Sequence, residues 1–215
     1  MTTHAVPETI AAGGGTKKAI RDAAVRLFGA KGFEQTSLRE VADAVGITKA
    51  SLYYHYASKL DLLVAILNPI VDHMRAMVEN IDAVPHDATG VRTVLRNYVR
   101  GMMRHRDAGS LCLRDTVTII NAMADRQPDL VETNRALRDW LAGPDPSDET
   151  KLRASAALEI LGIALLSTEV VPGAADALVE NTLLDAATSV LYPAGPSDPS
   201  APAAPAASAA SSWGA

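Results

Sequence analysis

The sequence predicts an all-α protein, with an amino-terminal three-helix domain built on a helix-turn-helix and a larger helical domain after it. Three observations carry this expectation. Residues 37–59, SLREVADAVGITKASLYYHYASK, hold two short helix signals on either side of a four-residue turn. Further along, apolar residues recur at i, i+3, i+4 and i+7, the spacing of one helix face. No run of alternating β-branched residues stands between turn signals, and aromatics make up only 4% of the 215 residues, so nothing argues for a strand.

Within the first helix of the motif, Leu38, Val41, Ala42 and Val45 share one apolar face, and Ser37 with Glu40 has the S-x-x-E spacing of a capping box. Gly46 ends that helix, because glycine enters the left-handed conformation without strain. Ile47 plugs the turn and Thr48 caps the second helix. There Leu52 and Tyr56, one turn apart, point inward. Ala50, Ser51 and Tyr54 then point outward, with Lys49, Tyr53 and His55 on the flanks.

A helix that needed only solubility would carry Glu, Lys and Gln on that face. Small residues flanked by tyrosines, a histidine and lysines suit a surface that enters the major groove, where hydroxyl, amine and imidazole groups meet phosphates or base edges. The tyrosine pair by itself is equally a surface cluster packed on a neighbouring helix. Taken with both caps and the turn, the spacing points to DNA.

Residues 16–59 resemble the amino-terminal domain of TetR-like transcriptional regulators, through the pattern AxxLFxxKGFxxTSLxxVAxxVGxxxxSLYYHYxSK that begins at Ala24. The resemblance covers about a fifth of the chain. It implies that Ser37 and Arg39 open the first motif helix at phosphates and that Lys49, Ala50, Ser51 and Tyr54 face bases. It places Tyr53, His55 and Lys59 as clamps on the DNA backbone. Thr48 completes the expected DNA-binding set. For the rest of the chain the resemblance implies a layout only: a helical regulatory domain that dimerises and holds a small ligand.

Charge is divided unevenly. The net charge is −5, yet residues 17–59 hold eight Lys or Arg against four acids, and residues from 60 onward hold twelve against twenty. A basic module on an acidic body attracts phosphate at one end and orients the approach. The apolar fraction of 48% excludes wholesale disorder. A lone Cys112 excludes an intramolecular disulfide and agrees with a reducing compartment. No basic, apolar leader opens the chain, and the longest apolar runs are too short to span a bilayer, which predicts a cytoplasmic protein.

Taken in order, residues 1–15 read as an arm without Lys or Arg. Thr16 is expected to cap a helix carrying Ile20, Ala23, Ala24, Leu27 and Phe28 on one stripe, closed by Lys31 and Gly32, with Phe33 folding back. The three-helix domain is expected over 16–60 and the regulatory domain over 61–192. Ser58 caps the next helix, in which Pro69 predicts a kink or break over residues 65–69. The following helix has the cleanest periodicity, from Val91 to Met103, and carries Arg92, Arg96, Arg100 and Arg104 on its opposite side. Like charges one turn apart are unfavourable, so acidic neighbours are expected to compensate. Helices follow near 110–124 and 128–141, then a GPDPSD loop over 143–148. The segments 149–168 and 174–191 carry more apolar surface than one core needs and predict a dimer face using Leu161, Gly162, Leu165, Leu183, Ala187 and Val190. Residues 193–215 are Pro, Ala and Ser with one charge, Asp198, the composition of a disordered tail.

Catalysis finds little support. The histidines at 4, 55, 73, 86 and 105 have no H-x-x-x-H or H-E-x-x-H spacing, and no glycine-rich phosphate loop follows a strand, so neither a metal nor a cofactor is expected. Tyr98, Met102 and Met103 on one helix, Cys112, Thr116, Asn121 and Met123 on the next, and Trp140 beyond mix soft apolar with isolated polar groups. That mixture lines either an adaptable pocket or an ordinary core. The sequence therefore predicts a homodimeric repressor of a double-stranded operator, released by a small effector. The rival is a helical enzyme or ligand carrier whose amino-terminal motif mediates protein contacts.

Overall fold

The computed structural model describes residues 14–109, 111, 117, 119, 121, 124, 126, 127 and 129–193. Every regular element among them is a helix: α1 (Gly14–Lys31), α2 (Leu38–Val45), α3 (Lys49–His55), α4 (Lys59–Glu79), α5 (Ala88–Arg104), α6 (Asp129–Ala142), α7 (Asp148–Gly162), the short α8 (Ser167–Val170) and α9 (Asp176–Leu191). Single 3-10 turns lie at Ile81–Ala83, Arg106–Ala108 and Ile163–Leu166. The expected arm up to residue 13 and the tail from 194 lie outside the described residues, as does most of the helix expected over 110–124. Gly14 opens α1, so Thr16 sits in its first turn instead of capping it.

Two hydrophobic clusters organise these helices. In the first, α1 buries Ile20, Ala23, Ala24 and Phe28 against Leu38, Val41 and Ala42 of α2, Leu52 of α3, and Leu62, Leu63 and Ile66 of α4. The second gathers the apolar face of α5, including Val91, Leu95 and Val99, with Leu137 of α6, Leu158 and Leu161 of α7, and Leu184 of α9. Helix α4 serves both: Val71 belongs to the first cluster and Met74 to the second. The first cluster thus extends about three turns beyond residue 60, because the start of α4 packs on α1.

Pro69 does not break α4, which is one helix by its hydrogen-bond pattern. The lost amide removes one bond, but Ile66, Leu67 and Val71 on the buried side anchor the helix before and after the proline. The first cluster also receives Ala108 and Leu111 from the chain that follows α5, both nearly or fully buried. A second strut therefore joins the amino-terminal helices to the body. Near it, Arg126 Nη1 pairs with Asp61 at 2.8 Å and Gln127 donates to Asn68 Oδ1 at 2.9 Å, tying the same region to α4.

The arginine column of α5 meets acids on α9. Arg92 pairs with Asp185 at 3.0 Å, while Arg96 and Arg100 share Glu180 at 3.3 and 2.8 Å. Arg104 instead donates to Nδ1 of His73 at 3.1 Å. The segment expected as one helix over 149–168 is divided. It leaves α-helical geometry at the Ile163–Leu166 turn, where Gly109 approaches so closely that a Cβ on it would lie 2.3 Å from the Leu165 carbonyl oxygen.

Leu111, fully buried in the amino-terminal cluster, tests the second strut. Leu111→Ala should destabilise the protein by about 2–5 kcal/mol, the usual range for emptying a leucine site. A lower midpoint of urea unfolding at unchanged slope is the expected result.

Candidate nucleic-acid interface

Helix α2 is closed at both ends by its own sequence. The Glu40 amide donates to Ser37 Oγ at 3.2 Å, and the Ser37 amide donates to Glu40 Oε2 at 2.8 Å, which completes the capping box. Lys31 Nζ reaches the same carboxylate at 2.6 Å. The Lys31 bond first, then the bonds from Ser37, bring the Glu40 pKa down to about 2. At the other end Gly46 has φ +75°, its amide donates to Asp43 O at 3.2 Å, and the Ile47 amide donates to Ala42 O at 3.0 Å. This pair of bonds is the Schellman stop, and it needs a residue at ease with positive φ.

Helix α3 starts where Thr48 Oγ1 accepts the Ser51 amide at 3.1 Å. Leu52 has no exposure and Tyr56 only 8%, so these two hold the helix to the core. Burial raises the Tyr56 hydroxyl pKa above its usual value, against a smaller lowering by Arg21. The outer face is open: Tyr54 is 87% exposed, Tyr53 44%, and Lys49 and Ala50 are exposed, while Ser51 and His55 are half-buried. Tyr54 meets the His55 ring edge-to-face at 5.2 Å, and the Lys49 ammonium lies 5.5 Å from the Tyr53 ring centre. These contacts preset the aromatic groups without covering them.

The structure divides the expected DNA-binding residues into two sets. Ser37, Arg39, Lys49, Tyr53 and Lys59 line one groove of about 470 Å³ between the start of α2 and α3. Thr48, Ala50, Ser51, Tyr54 and His55 do not line it. The groove also contains Gln35, which sequence reasoning missed because the loop before α2 carries no periodicity. Arg39 stands 81% exposed, with Asp43 no nearer than 3.9 Å. The hydroxyl of Thr36 is already committed to the Gly32 carbonyl at 2.8 Å.

Lys59 is placed differently from a free phosphate clamp. Its ammonium donates to the carbonyls of Phe33 at 2.8 Å and Glu34 at 3.2 Å, and it lies 4.4 Å from the Phe33 ring centre. Phe33 in turn packs edge-to-face on Phe28 at 5.2 Å. The first residue of α4 therefore braces the loop between α1 and α2, and two of its three donors are in use.

Residues 20–66 match the family model described as bacterial regulatory proteins, tetR family. This domain is a TetR-family domain. The chain is 32% identical over 94 residues to the HTH-type transcriptional activator FasR of Mycolicibacterium smegmatis, covering 35% of this chain and 43% of FasR. It is 27% identical over 130 residues to the HTH-type transcriptional regulator UidR of Escherichia coli, covering 53% of this chain and 65% of UidR. The chain thus spans about half to two thirds of these curated relatives. The whole fold resembles the crystal structure of Mycobacterium smegmatis AmtR, with a TM-score of 0.67 at 23% identity over 86% of this chain and 88% of that one. The likeness of fold extends beyond the TetR-family domain into the helical body.

In that body, Tyr98, Met102 and Met103 are buried in the second cluster, and burial with the Glu159 charge pushes the Tyr98 hydroxyl to about 12. Trp140 is half-buried with its ring 5.0 Å from His86, and Asn121 is exposed. Cys112, Thr116 and Met123 lie outside the described residues. Asn121 is therefore no wall of an enclosed pocket, and the three α5 residues pack as core. Of the residues expected at the dimer face, Leu161 and Ala187 have no exposure and point into the chain's own core. The helical period places the open surface on the opposite sides, at Leu152, Ile163 and Leu178, which are 71%, 41% and 60% exposed. Leu165, Leu183 and Val190 are half-buried, and a Cβ on Gly162 would meet nothing within 4 Å.

Two of the three cations that line the groove, Arg39 and Lys59, should separate in solution. Arg39→Ala should flatten the salt dependence of duplex binding by about 0.9 in slope and leave stability unchanged. Lys59→Met should lower stability by about 1.5 kcal/mol, the low end for bonds to a charged donor, with a smaller change in slope. Titrations over a salt series, paired with denaturant melts, read both.

Glu40 sets a pH dependence. Its folded pKa of about 2 lies below the ordinary 4.5. Its contribution is therefore full above about 4.5 and is lost as pH falls toward 2. Glu40→Gln should remove part of the acid destabilisation seen in unfolding curves between those values.

Proposed function

We propose that the protein is a homodimeric transcriptional regulator that seats two copies of α3 in successive major grooves of a pseudo-palindromic operator and leaves it when a small effector binds the body. The observation that carries the reading is the outer face of α3, where Tyr54 stands 87% exposed while Leu52 beneath it is fully buried. A soluble protein has little reason to present a tyrosine so openly on a helix capped and anchored this firmly. A major-groove reader does. On this reading Lys49, Ala50, Ser51 and Tyr54 meet bases, and Arg39, Tyr53 and Gln35 meet phosphates. Residues 16–60 form the DNA-binding unit and residues 61–192 the regulatory unit.

Binding without catalysis accounts for the site, because its groups are donors to phosphate and base edges, and the Ser37 hydroxyl, 3.0 Å from Glu40 Oε2, is committed to capping α2. Steric exclusion is the least demanding way for a bound dimer to act on transcription, so repression is the sign we assign. FasR is named an activator and KstR2 of Rhodococcus jostii a repressor, and a promoter fusion decides between the two for this chain.

Selection from a random duplex library should return an inverted repeat whose half-site centres lie about 34 Å apart or somewhat more. Tyr54→Ala should change the selected sequence, and recovery of no preferred sequence would sink the reading. Leu152→Glu with Leu178→Glu should shift the chain from dimer to monomer in sedimentation at micromolar concentration and weaken operator binding. A wild-type chain that sediments as a monomer would remove the dimeric part.

A further inference from the structure

His73 projects from α4 onto α5, about one turn beyond Pro69. Its Nε2 lies 3.0 Å from the carbonyl oxygen of Asn97, and its Nδ1 lies 3.1 Å from a guanidinium nitrogen of Arg104. A carbonyl only accepts, so Nε2 carries the proton. A guanidinium only donates, so Nδ1 must be bare. Both contacts are satisfied by one state of the ring, the neutral Nε2–H tautomer. The backbone of α5 is shaped for it: a Cβ on Gly101 would lie 2.0 Å from the imidazole Cδ2 and Nε2 atoms. Glycine in the middle of a helix is unfavourable by about 1 kcal/mol, and here its bareness lets the ring lie against the helix.

We propose that His73 is a proton-sensitive latch of the α4–α5 joint, closed while its imidazole is neutral and opened when a second proton arrives at Nδ1. That proton would displace the Arg104 hydrogen bond and leave two cations facing each other. The other charges around the ring do not rescue the protonated form. Arg100 on α5 is held by Glu180 at 2.8 Å, and Asp72 on α4 is held by Arg75 at 2.8 Å. His105, just past α5, adds a titratable neighbour, whose nearby carboxylate is Asp107. Among the described residues no carboxylate lies within ion-pair distance of His73. Burial is the largest influence on His73 and lowers its pKa; the Asn97 bond, next in size, raises it, and Arg104 lowers it further. His105 is lowered by burial, then by Arg104 and His73.

The direction of the effect follows. An undocked His73 titrates near the ordinary 6.5, and the docked ring titrates below it. The closed joint is therefore fully favoured above about 6.5 and loses its advantage as pH falls from there through the lowered value. Because α4 runs from this joint into the amino-terminal domain, opening loosens one of the two struts that hold that domain. On the regulator reading, which only this last step requires, acid then weakens operator binding.

The full-length chain tests this through the imidazole Cε1–H resonance of His73. Its titration midpoint should lie below 6.5 and rise in Arg104→Gln, which removes the opposing cation. His73→Gln keeps an N–H for Asn97 but does not titrate. Its melting temperature should drop less than that of wild type between pH 7.5 and 5.5, and its operator affinity should fall less. The other histidines are common to both proteins, and the His105 resonance followed in the same spectra separates any change in that neighbour from the loss of His73 itself. A midpoint at or above 6.5, or equal pH responses of the two melts, overturns the latch. Should His73→Gln fail to fold at pH 7.5, the wild-type and Arg104→Gln midpoints decide. If no duplex binds, the regulator reading fails while the titration and melts still judge the latch.

Discussion

Burial of Leu52 and Tyr56 is the constraint on which the interface depends. Helix α3 has seven residues, well short of the roughly 12–15 at which isolated helices persist in water. It exists because Thr48 closes its first turn and Leu52 docks among residues of α1, α2 and α4. Once two residues do that work, Lys49, Ala50, Tyr53 and Tyr54 have no part in holding the helix. Their identities are open to selection by a partner, and the groove beside them gathers Arg39 and Ser37 from α2.

The same economy governs how the two clusters communicate. Helix α4 begins at Lys59, which grips the carbonyls of Phe33 and Glu34, and ends in the second cluster beyond Met74. A displacement of α4 would therefore reach the loop that leads into Ser37. It does not act by itself, because Ala108 and Leu111 enter the first cluster from the far side of α5. Gly109, between them, presses on the Leu165 carbonyl oxygen. Residues close to the α7–α9 surface and residues under α1 are thus joined through one glycine.

Charge is arranged in keeping with this. The arginines of α5 could have formed a second basic surface, but Arg92 pairs with Asp185 of α9, and Arg96 and Arg100 share its Glu180, which offsets most of their charge. Exposed pairs of this kind contribute little stability, about 0–1 kcal/mol each. Their larger effect is on the field: they reduce a competing attraction for phosphate on the acidic body and leave Arg39 and Lys49 at the end that approaches DNA on the proposed reading. Arg104 escapes the column and meets His73 instead, so the only arginine of the four without an acid is the one that rests on a titratable acceptor.

The local elements were legible because their causes are local. The capping box of Ser37 and Glu40, the αL stop at Gly46, the cap at Thr48 and the inward pair Leu52 and Tyr56 each depend on residues within one or two turns of one another. The +4 balance of residues 17–59 needed only counting. What the sequence could not decide depends on partners distant along the chain. Periodicity marks Leu161 and Ala187 as apolar but not whether they turn toward their own core or a second copy, and α5 and α9 settled that by covering them. Lys59 reads as a free cation until the loop 26 residues earlier offers its carbonyls. Pro69 reads as a break until the flanking side chains are seen to hold α4 in one piece. By itself the sequence determined the helix-turn-helix, its caps and the chemistry of its outer face, since hydrogen bonds one turn apart and the helical period are set by neighbours along the chain. The tertiary structure decided which apolar faces remain open, which cations remain free and how α4 is tied at both ends, since burial and pairing depend on what the fold brings from far away.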